Sequence, residues 1–187
     1  MTIGVLLAIG YVVLSRLAYV VGIGVALVRQ DRYQVFTRDR GIDEGFRFFR
    51  RWASVVMDND AVALVVLCVV TRETLHVGVQ RWVLVVVGVV FIVAGAAVKI
   101  WARARLGHKG YYWHNFFEPA DMKPLGPPGP YRYLDNPMYT VGYLPAYGLA
   151  LVFASLPGLI AAGFAQAAIL VFHQVVERPH YERLMKR

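Results

Sequence analysis

The sequence has few of the residues that stabilise secreted folds or bind metal ions. It contains one cysteine, Cys68, among 187 residues, so a disulfide within the chain is excluded. Its five histidines show no spacing that resembles a set of metal ligands. It also lacks a glycine-rich phosphate loop and a nucleophile elbow around serine. These absences exclude a disulfide framework, and we expect a site that works without a metal ion.

Long stretches of the sequence also lack charge. The chain is 58% hydrophobic with a mean hydropathy of +0.49, which exceeds what the core of a soluble domain requires. Several apolar runs are each close to the roughly 20 residues that a helix needs to cross a bilayer. These runs cover residues 3–28, 57–75, 82–100, 137–154 and 157–176. We therefore predict an all-α integral membrane bundle of about five transmembrane helices, built as a single membrane domain over residues 1–187.

The surplus of 20 Lys and Arg over 12 Asp and Glu is concentrated in alternate connections between these runs. Seven basic residues lie between the first two runs, two before the third, six in residues 99–132, none between the last two runs and four in the tail. The positive-inside rule then predicts an outside N-terminus and a cytoplasmic C-terminus. Because the basic residues flank apolar spans, we attribute them to anionic lipid headgroups and expect no nucleic-acid partner. A homo-oligomer is compatible with the sequence, which does not indicate one.

The N-terminal third leaves alternatives open. Its first run has no basic leader and no cleavage site, so we expect a permanent span rather than a signal peptide. Residues 29–52 are predicted either as a helix lying in the membrane interface, with Phe and Trp side chains on its apolar face, or as a charged connector. Arg16 lies within the first run, where a charge is unfavourable unless it is paired or faces a wet cavity. An ion pair with Asp58 or Asp60 is the first interpretation, and a contact to a substrate headgroup is the second.

Residues 101–136 form the least regular part of the chain. Five prolines within residues 119–130 exclude a continuous helix, and the many aromatic side chains suit the headgroup layer. We predict that this segment and residues 177–187 form a pocket on the cytoplasmic side. Because so few residues connect the last two runs, these runs must form an antiparallel hairpin that brings Asn136, Pro137 and Tyr139 level with Glu177. The Asn-Pro pair is also a typical helix cap, and the free N–H groups of such a helix start can bind an anion.

Residues 129–139 read Gly-Pro-Tyr-Arg-Tyr-Leu-Asp-Asn-Pro-Met-Tyr, and a hydrophobic hairpin and Val-Glu-Arg-Pro-His-Tyr follow them. This order of motifs resembles the small integral-membrane methyltransferases, which include isoprenylcysteine carboxyl methyltransferases and phosphatidylethanolamine N-methyltransferases. The Asp-Asn pair, in place of Arg-His, resembles the phospholipid enzymes. The resemblance implies methyl transfer from S-adenosylmethionine to the amine of phosphatidylethanolamine or its mono- and dimethyl forms, with S-adenosylhomocysteine as product. Methylation of an isoprenoid carboxylate or a thiol is the alternative, and a non-catalytic membrane protein or small transporter is a further one.

Roles for the candidate residues follow from this resemblance and from the chemistry of methyl transfer. Glu177 is expected to hold the amino group of the cofactor, and Asp135, Tyr139 or His114 to accept the proton of the lipid amine. Gly88 lies near the position of a Gly-x-Gly in the preceding span of the phospholipid enzymes, although close helix packing explains it equally well. The full set of cofactor-binding residues that the resemblance implies is Lys123, Leu125, Gly126, Tyr131, Arg132, Asn136, Pro137, Tyr139, Glu177 and Gly88.

Overall fold

The part of the chain that the structure describes is built from helices and turns. A computed structural model describes residues 2–118 and 136–185, apart from the side chains of His108 and Lys109. Within these ranges the regular elements are helical and no strand occurs. The predicted all-α membrane bundle is therefore confirmed. We number the main helices α1 (Ile3–Tyr33), α2 (Ile42–Val70), α3 (Arg81–Gly110), α4 (Leu144–Val152) and α5 (Leu156–Met185).

Four of the described helices are long and apolar enough to cross a membrane. They cover Ile3–Tyr33, Ile42–Val70, Arg81–Gly107 and Leu156–Met185. The predicted runs at 3–28, 82–100 and 157–176 lie within three of them. The sequence predicts a second run over residues 57–75, whereas α2 covers Ile42–Val70 and thus both begins and ends earlier. Asp43 and Glu44 in its first turn explain the early start, because carboxylates stabilise the N-terminus of a helix.

The fourth predicted span is shorter than expected. Its apolar helix covers Val141–Val152, a length of about 18 Å at 1.5 Å per residue, whereas a bilayer core is about 30 Å thick. The helix starts late because residues 137–140 form turns, which hydrogen bonds from the backbone N–H groups of Tyr139 and Gly142 stabilise. The regular α4 then begins with Pro145 in its first turn, where a missing N–H is tolerated.

Residues 29–52 do not form a separate interfacial helix. Residues 29–33 end α1 and residues 42–52 begin α2, with a short turn between them. Gln30 stabilises this turn: its Oε1 accepts a hydrogen bond from the Phe36 N–H at 2.9 Å, and its Nε2 donates to Thr37 Oγ1 at 2.9 Å. The apolar face of an interfacial helix would be exposed to lipid. Phe48 and Trp52 are exposed, but Phe46 and Phe49 are buried in an aromatic core.

Small residues bring α3 and α4 into close contact. A Cβ atom at Gly88 would lie 2.6 Å from the carbonyl oxygen of Gly148, and one at Gly148 would overlap the carbonyl oxygen of Gly88. The helix axes can approach this closely only because neither residue has a side chain. The predicted hairpin between α4 and α5 is also present, and Ser155 Oγ caps α5 by accepting from the Gly158 N–H at 2.8 Å.

Candidate active site

A buried carboxylate lies where the turn that precedes α4 meets the far end of α5. Glu177 is 5% exposed, and its Oε1 accepts hydrogen bonds from Trp113 Nε1 at 2.5 Å and from Tyr139 Oη at 2.6 Å. Its Oε2 lies 2.5 Å from His173 Nδ1. Because a carboxylate only accepts, this His173 nitrogen must carry a hydrogen. The predicted convergence of the hairpin ends on Glu177 is therefore observed.

Unusual backbone geometry points these side chains at each other. Residues His173–Glu177 form a π-helical turn within α5, and such turns are frequent at functional sites. Trp113 has a left-handed backbone with φ 57°, which is uncommon for a residue other than glycine. Strained positions of this kind persist only where the surrounding structure holds them, as the Glu177 contact does here.

The turn that precedes α4 is held in place by side chains from both directions. Asn136 Oδ1 accepts from the Tyr139 N–H at 3.2 Å, but this bond closes the turn at residues 136–139. The prediction that Asn136 caps the fourth helix is wrong, because the regular helix begins only at Leu144, with Tyr143 at its N-cap. Gln166, on α5, donates to the backbone oxygens of Tyr139 and Thr140 at 3.2 and 3.3 Å. The Gln166 amide oxygen in turn accepts from Tyr147 Oη at 2.7 Å. These bonds keep the phenol of Tyr139 directed at Glu177.

A second polar cluster forms around Arg16 of α1. Arg16 and Asp60, which are 6% and 8% exposed, form an ion pair with 2.5 Å between Nη2 and Oδ2. The predicted intramembrane pair is therefore confirmed, with Asp60 as the partner. Arg16 Nη1 also donates to Tyr143 Oη at 2.9 Å, and its guanidinium lies 5.1 Å from the ring centre of Tyr19. Lys99 Nζ lies 5.5 Å from the ring centre of Tyr143.

One cavity of about 360 Å³ joins the two clusters. Trp113 and Tyr139 line it and also donate to Glu177, so the carboxylate lies behind one of its walls. Burial raises the pKa of Tyr111, another lining residue, so its phenol is neutral near physiological pH. The polar and aromatic side chains that line the cavity are Arg16, Tyr19, Asp58, Asp60, Lys99, Tyr111, Trp113, Tyr139 and Tyr143.

The sequence-predicted residues divide into three groups. Asn136, Pro137, Tyr139 and Glu177 come together at the hairpin mouth. His114 is buried elsewhere, 4.5 Å from the ring centre of Phe46 and with Nε2 3.9 Å from Glu118 Oε2, and Gly88 packs against Gly148. Neither His114 nor Gly88 lines the cavity. The predicted residues that lie outside the described part of the chain are Lys123, Leu125, Gly126, Tyr131, Arg132 and Asp135.

Sequence reasoning missed several residues of this site. The sequence marks Trp113 only as one of the many aromatic residues of the segment 101–136, although it donates to Glu177. Tyr143 carries a usable signal, since it follows Tyr139 by four positions, which a helix over the predicted run 137–154 would place on one face. The structure has turns at residues 137–140 instead, but both tyrosines line the cavity. Lys99 carries another, because it is the single charged residue in its apolar run. Within residues 2–118 and 136–185, no group of three or more His, Cys, Asp or Glu side chains could hold a metal ion.

Comparison with known proteins bears on the chemistry of this site. The sequence profile described as phospholipid methyltransferase matches residues 83–187, which is more than half of the chain. The chain belongs to the phospholipid methyltransferase family. This assignment confirms the resemblance that the motifs indicate. The matched range contains Trp113, Tyr139 and Glu177, whereas the Arg16–Asp60 pair lies in the unmatched N-terminal part.

Relatives of this family member include fungal proteins named phosphatidylethanolamine N-methyltransferase. The Talaromyces marneffei protein is 28% identical over 169 residues, which cover 84% of this chain and 17% of that protein. The Sordaria macrospora protein is 30% identical over 140 residues, which cover 72% of this chain and 14% of that protein. The chain thus spans about one-sixth of the length of these relatives. No solved structure matches it.

Proposed function

We propose that the chain transfers a methyl group from S-adenosylmethionine to the amine of phosphatidylethanolamine or of its mono- and dimethyl forms. The observation that carries this proposal is the buried Glu177 carboxylate. Trp113 and Tyr139 donate hydrogen bonds to it and also line the neighbouring cavity, whose walls carry charges of both signs. The carboxylate can bind the amino group of the methyl donor, and the cavity can hold a zwitterionic acceptor. The family assignment supports the reaction class.

The residues around Glu177 fit the amino group of such a cofactor. A carboxylate offers about four lone-pair positions, and Trp113, Tyr139 and His173 use three of them. The remaining position can accept from an ammonium group. The aromatic rings of Trp113 and Tyr139 also suit a positively charged sulfonium nearby. When bound, S-adenosylmethionine supplies an electrophilic methyl group, and S-adenosylhomocysteine is the product.

We assign Tyr139 a positioning role rather than that of the base. Its oxygen lies 2.6 Å from a Glu177 carboxylate oxygen, and a phenol holds its proton far more tightly than a carboxyl group does. Tyr139 therefore donates to Glu177 and keeps its proton. His114 and Asp135 stay predictions as proton acceptors. Lys123, Leu125, Gly126, Tyr131 and Arg132 stay predictions as cofactor contacts, whereas the position of Gly88 against Gly148 supports a packing role.

The proposal places the site at the cytoplasmic end of the bundle. S-adenosylmethionine is a soluble charged molecule, so its binding groups must face an aqueous compartment. Glu177 lies near the end of α5, and basic residues follow it in the tail. The positive-inside rule supports an outside N-terminus and a cytoplasmic C-terminus. The lipid acceptor would then reach the site from the inner leaflet.

Lipid mass spectrometry tests this function directly. The purified full chain is incubated with phosphatidylethanolamine vesicles and S-adenosylmethionine that carries a deuterated methyl group. Stepwise incorporation of labelled methyl groups into the headgroup is the expected outcome. A parallel incubation offers an isoprenoid carboxylate and a lipophilic thiol as acceptors. Labelling of these in place of the phospholipid would contradict the proposed acceptor, and labelling of none would contradict the proposed activity.

A further inference from the structure

The charges that line the cavity are not all neutralised by the protein. Arg16 and Asp60 neutralise each other in a buried ion pair. Asp58 and Lys99 line the same cavity, and neither has a salt-bridge partner among the residues that the structure describes. The Lys99 ammonium instead lies 5.5 Å from the ring centre of Tyr143. One negative and one positive side chain are therefore available to a ligand with the opposite pair of charges.

The rim of the cavity lies on the outer surface of the bundle. Asp58, Ala61 and Lys99 are exposed, and Val65 is 42% exposed. Asp58, Ala61 and Val65 belong to α2, which packs mainly against α1. Lys99 belongs to α3, which packs mainly against α4. The cavity thus opens between α2 and α3. Both helices are long and apolar enough to span a membrane, so an opening between them is open to a lipid that enters from the side.

The position of Asp58 argues that it has a ligand. A carboxylate on an apolar spanning helix is unfavourable unless it is paired or faces water, and such residues are usually functional. Asp58 stands two positions before Asp60, on a helix whose remaining residues up to Val70 carry no other charge. A cavity of about 360 Å³ is large enough for a small polar ligand, since binding pockets of about 300–1,000 Å³ are typical.

We propose that this cavity is the acceptor site and that Asp58 and Lys99 select a zwitterionic phospholipid headgroup that enters laterally between α2 and α3. Asp58 binds the ammonium group, and Lys99 binds the phosphate. The rings of Tyr111 and Trp113 face the same space and can hold the amine by cation–π attraction after methyl groups have replaced its N–H donors. The inference rests on the proposed function, because that function makes the zwitterion a substrate.

Lipid retention measured by native mass spectrometry tests the inference without relying on turnover. The full chain in detergent is offered phosphatidylethanolamine and, separately, phosphatidylglycerol, which has the phosphate but no amine. The wild type is expected to retain phosphatidylethanolamine preferentially. Asp58→Asn should lower that preference at least about tenfold and leave phosphatidylglycerol retention unchanged, because only the contact to the ammonium group is lost. Lys99→Gln should weaken retention of both lipids.

Two further variants act as controls. Asp58→Glu keeps the charge and should keep the preference, whereas Asp39→Asn removes an exposed carboxylate from the turn between α1 and α2 and should change nothing. Melting temperatures close to that of the wild type show that each variant folds. Retention by Asp58→Asn and Lys99→Gln at the wild-type level would overturn the inference, since Lys99 would then be only a membrane anchor and Asp58 a solvated residue.

Two other measurements complete the test. One distinguishes a lipid ligand from a soluble one, and the other distinguishes failure of this inference from failure of the proposed function. Glycerophosphoethanolamine, the headgroup without acyl chains, should not displace the lipid at equal concentration; displacement would overturn lateral entry. S-adenosylmethionine binding and methyl transfer by the wild type test the proposed function alone. If the wild type binds the cofactor and methylates phosphatidylethanolamine while Asp58→Asn keeps full lipid preference, only the assignment of this cavity fails.

Discussion

Trp113 donates its indole N–H to Glu177 at 2.5 Å, across 64 positions of sequence. The bond joins the irregular segment that follows α3 to the π-helical turn in α5. Trp113 adopts its left-handed backbone here, and its ring also packs against Phe172 with 5.7 Å between ring centres. The indole therefore fixes the position of the carboxylate on one side, as Tyr139 does on the other. A carboxylate held by fixed donors is preorganised, because the site does not have to rearrange when a ligand binds.

Glu177→Gln is expected to weaken S-adenosylmethionine binding by about ten- to a hundredfold. The substitution keeps the shape of the side chain but removes the charge that would bind an ammonium group, and a hydrogen bond to a charged group contributes about 1.5–3 kcal/mol. Isothermal titration in detergent measures the affinity. Glu182→Gln is the matched control, because Glu182 lies on the surface of the same helix and pairs with Arg178. Equal affinities of Glu177→Gln and wild type would remove Glu177 from the cofactor site.

Tyr139→Phe is expected to slow methyl transfer about tenfold without moving the pH at which the rate is half-maximal. The variant loses one hydrogen bond to Glu177 but no titrating group, because the phenol keeps its proton in the wild type. Initial rates across a range of pH measure both properties. Tyr33→Phe, at an exposed position near the end of α1, is the control. Loss of a limb of the pH profile in Tyr139→Phe would instead identify the phenol as the base.

Removal of one partner of the Arg16–Asp60 pair is expected to destabilise the protein by about 3–5 kcal/mol, because the other charge is left buried. The double variant Arg16→Met, Asp60→Leu should recover most of this loss, since neither charge then remains. Melting temperatures of the two single variants and the double variant in detergent form the cycle that measures the coupling. Additive losses in the double variant would show that the two side chains do not stabilise each other.

Gly148→Ala is expected to lower stability by about 1–3 kcal/mol, because the new methyl group would overlap the carbonyl oxygen of Gly88 and force α3 and α4 apart. Gly88→Ala should act in the same direction. Gly10→Ala is the matched control, since nothing lies within 4 Å of a Cβ atom there. It should leave the melting temperature unchanged or raise it slightly, because alanine favours a helix over glycine. A fall in Gly10→Ala equal to that in Gly148→Ala would contradict the packing explanation.

Much of the architecture could be predicted from the sequence because it depends on local properties. Apolar runs of sufficient length predict spanning helices, and three of the runs lie within helices that the structure describes. The short connection between the last two runs predicts a hairpin, and the hairpin brings Tyr139 to Glu177 whatever the other helices do. The buried arginine predicts a carboxylate partner for the same local reason, since a lone charge is unfavourable among apolar side chains.

Only the tertiary structure decided which distant groups share one space. No sequence pattern links Trp113 to Glu177 or chooses Asp60 over Asp58 for Arg16, because both choices depend on how the helices rotate against one another. Gln166 of α5 also donates to the turn at Tyr139 and Thr140 that precedes the shortened fourth helix, a contact that no sequence pattern specifies. Hydrophobicity and length thus determined the helices of this protein. Packing determined that Arg16, Asp58, Lys99 and Tyr143 line one cavity next to the carboxylate.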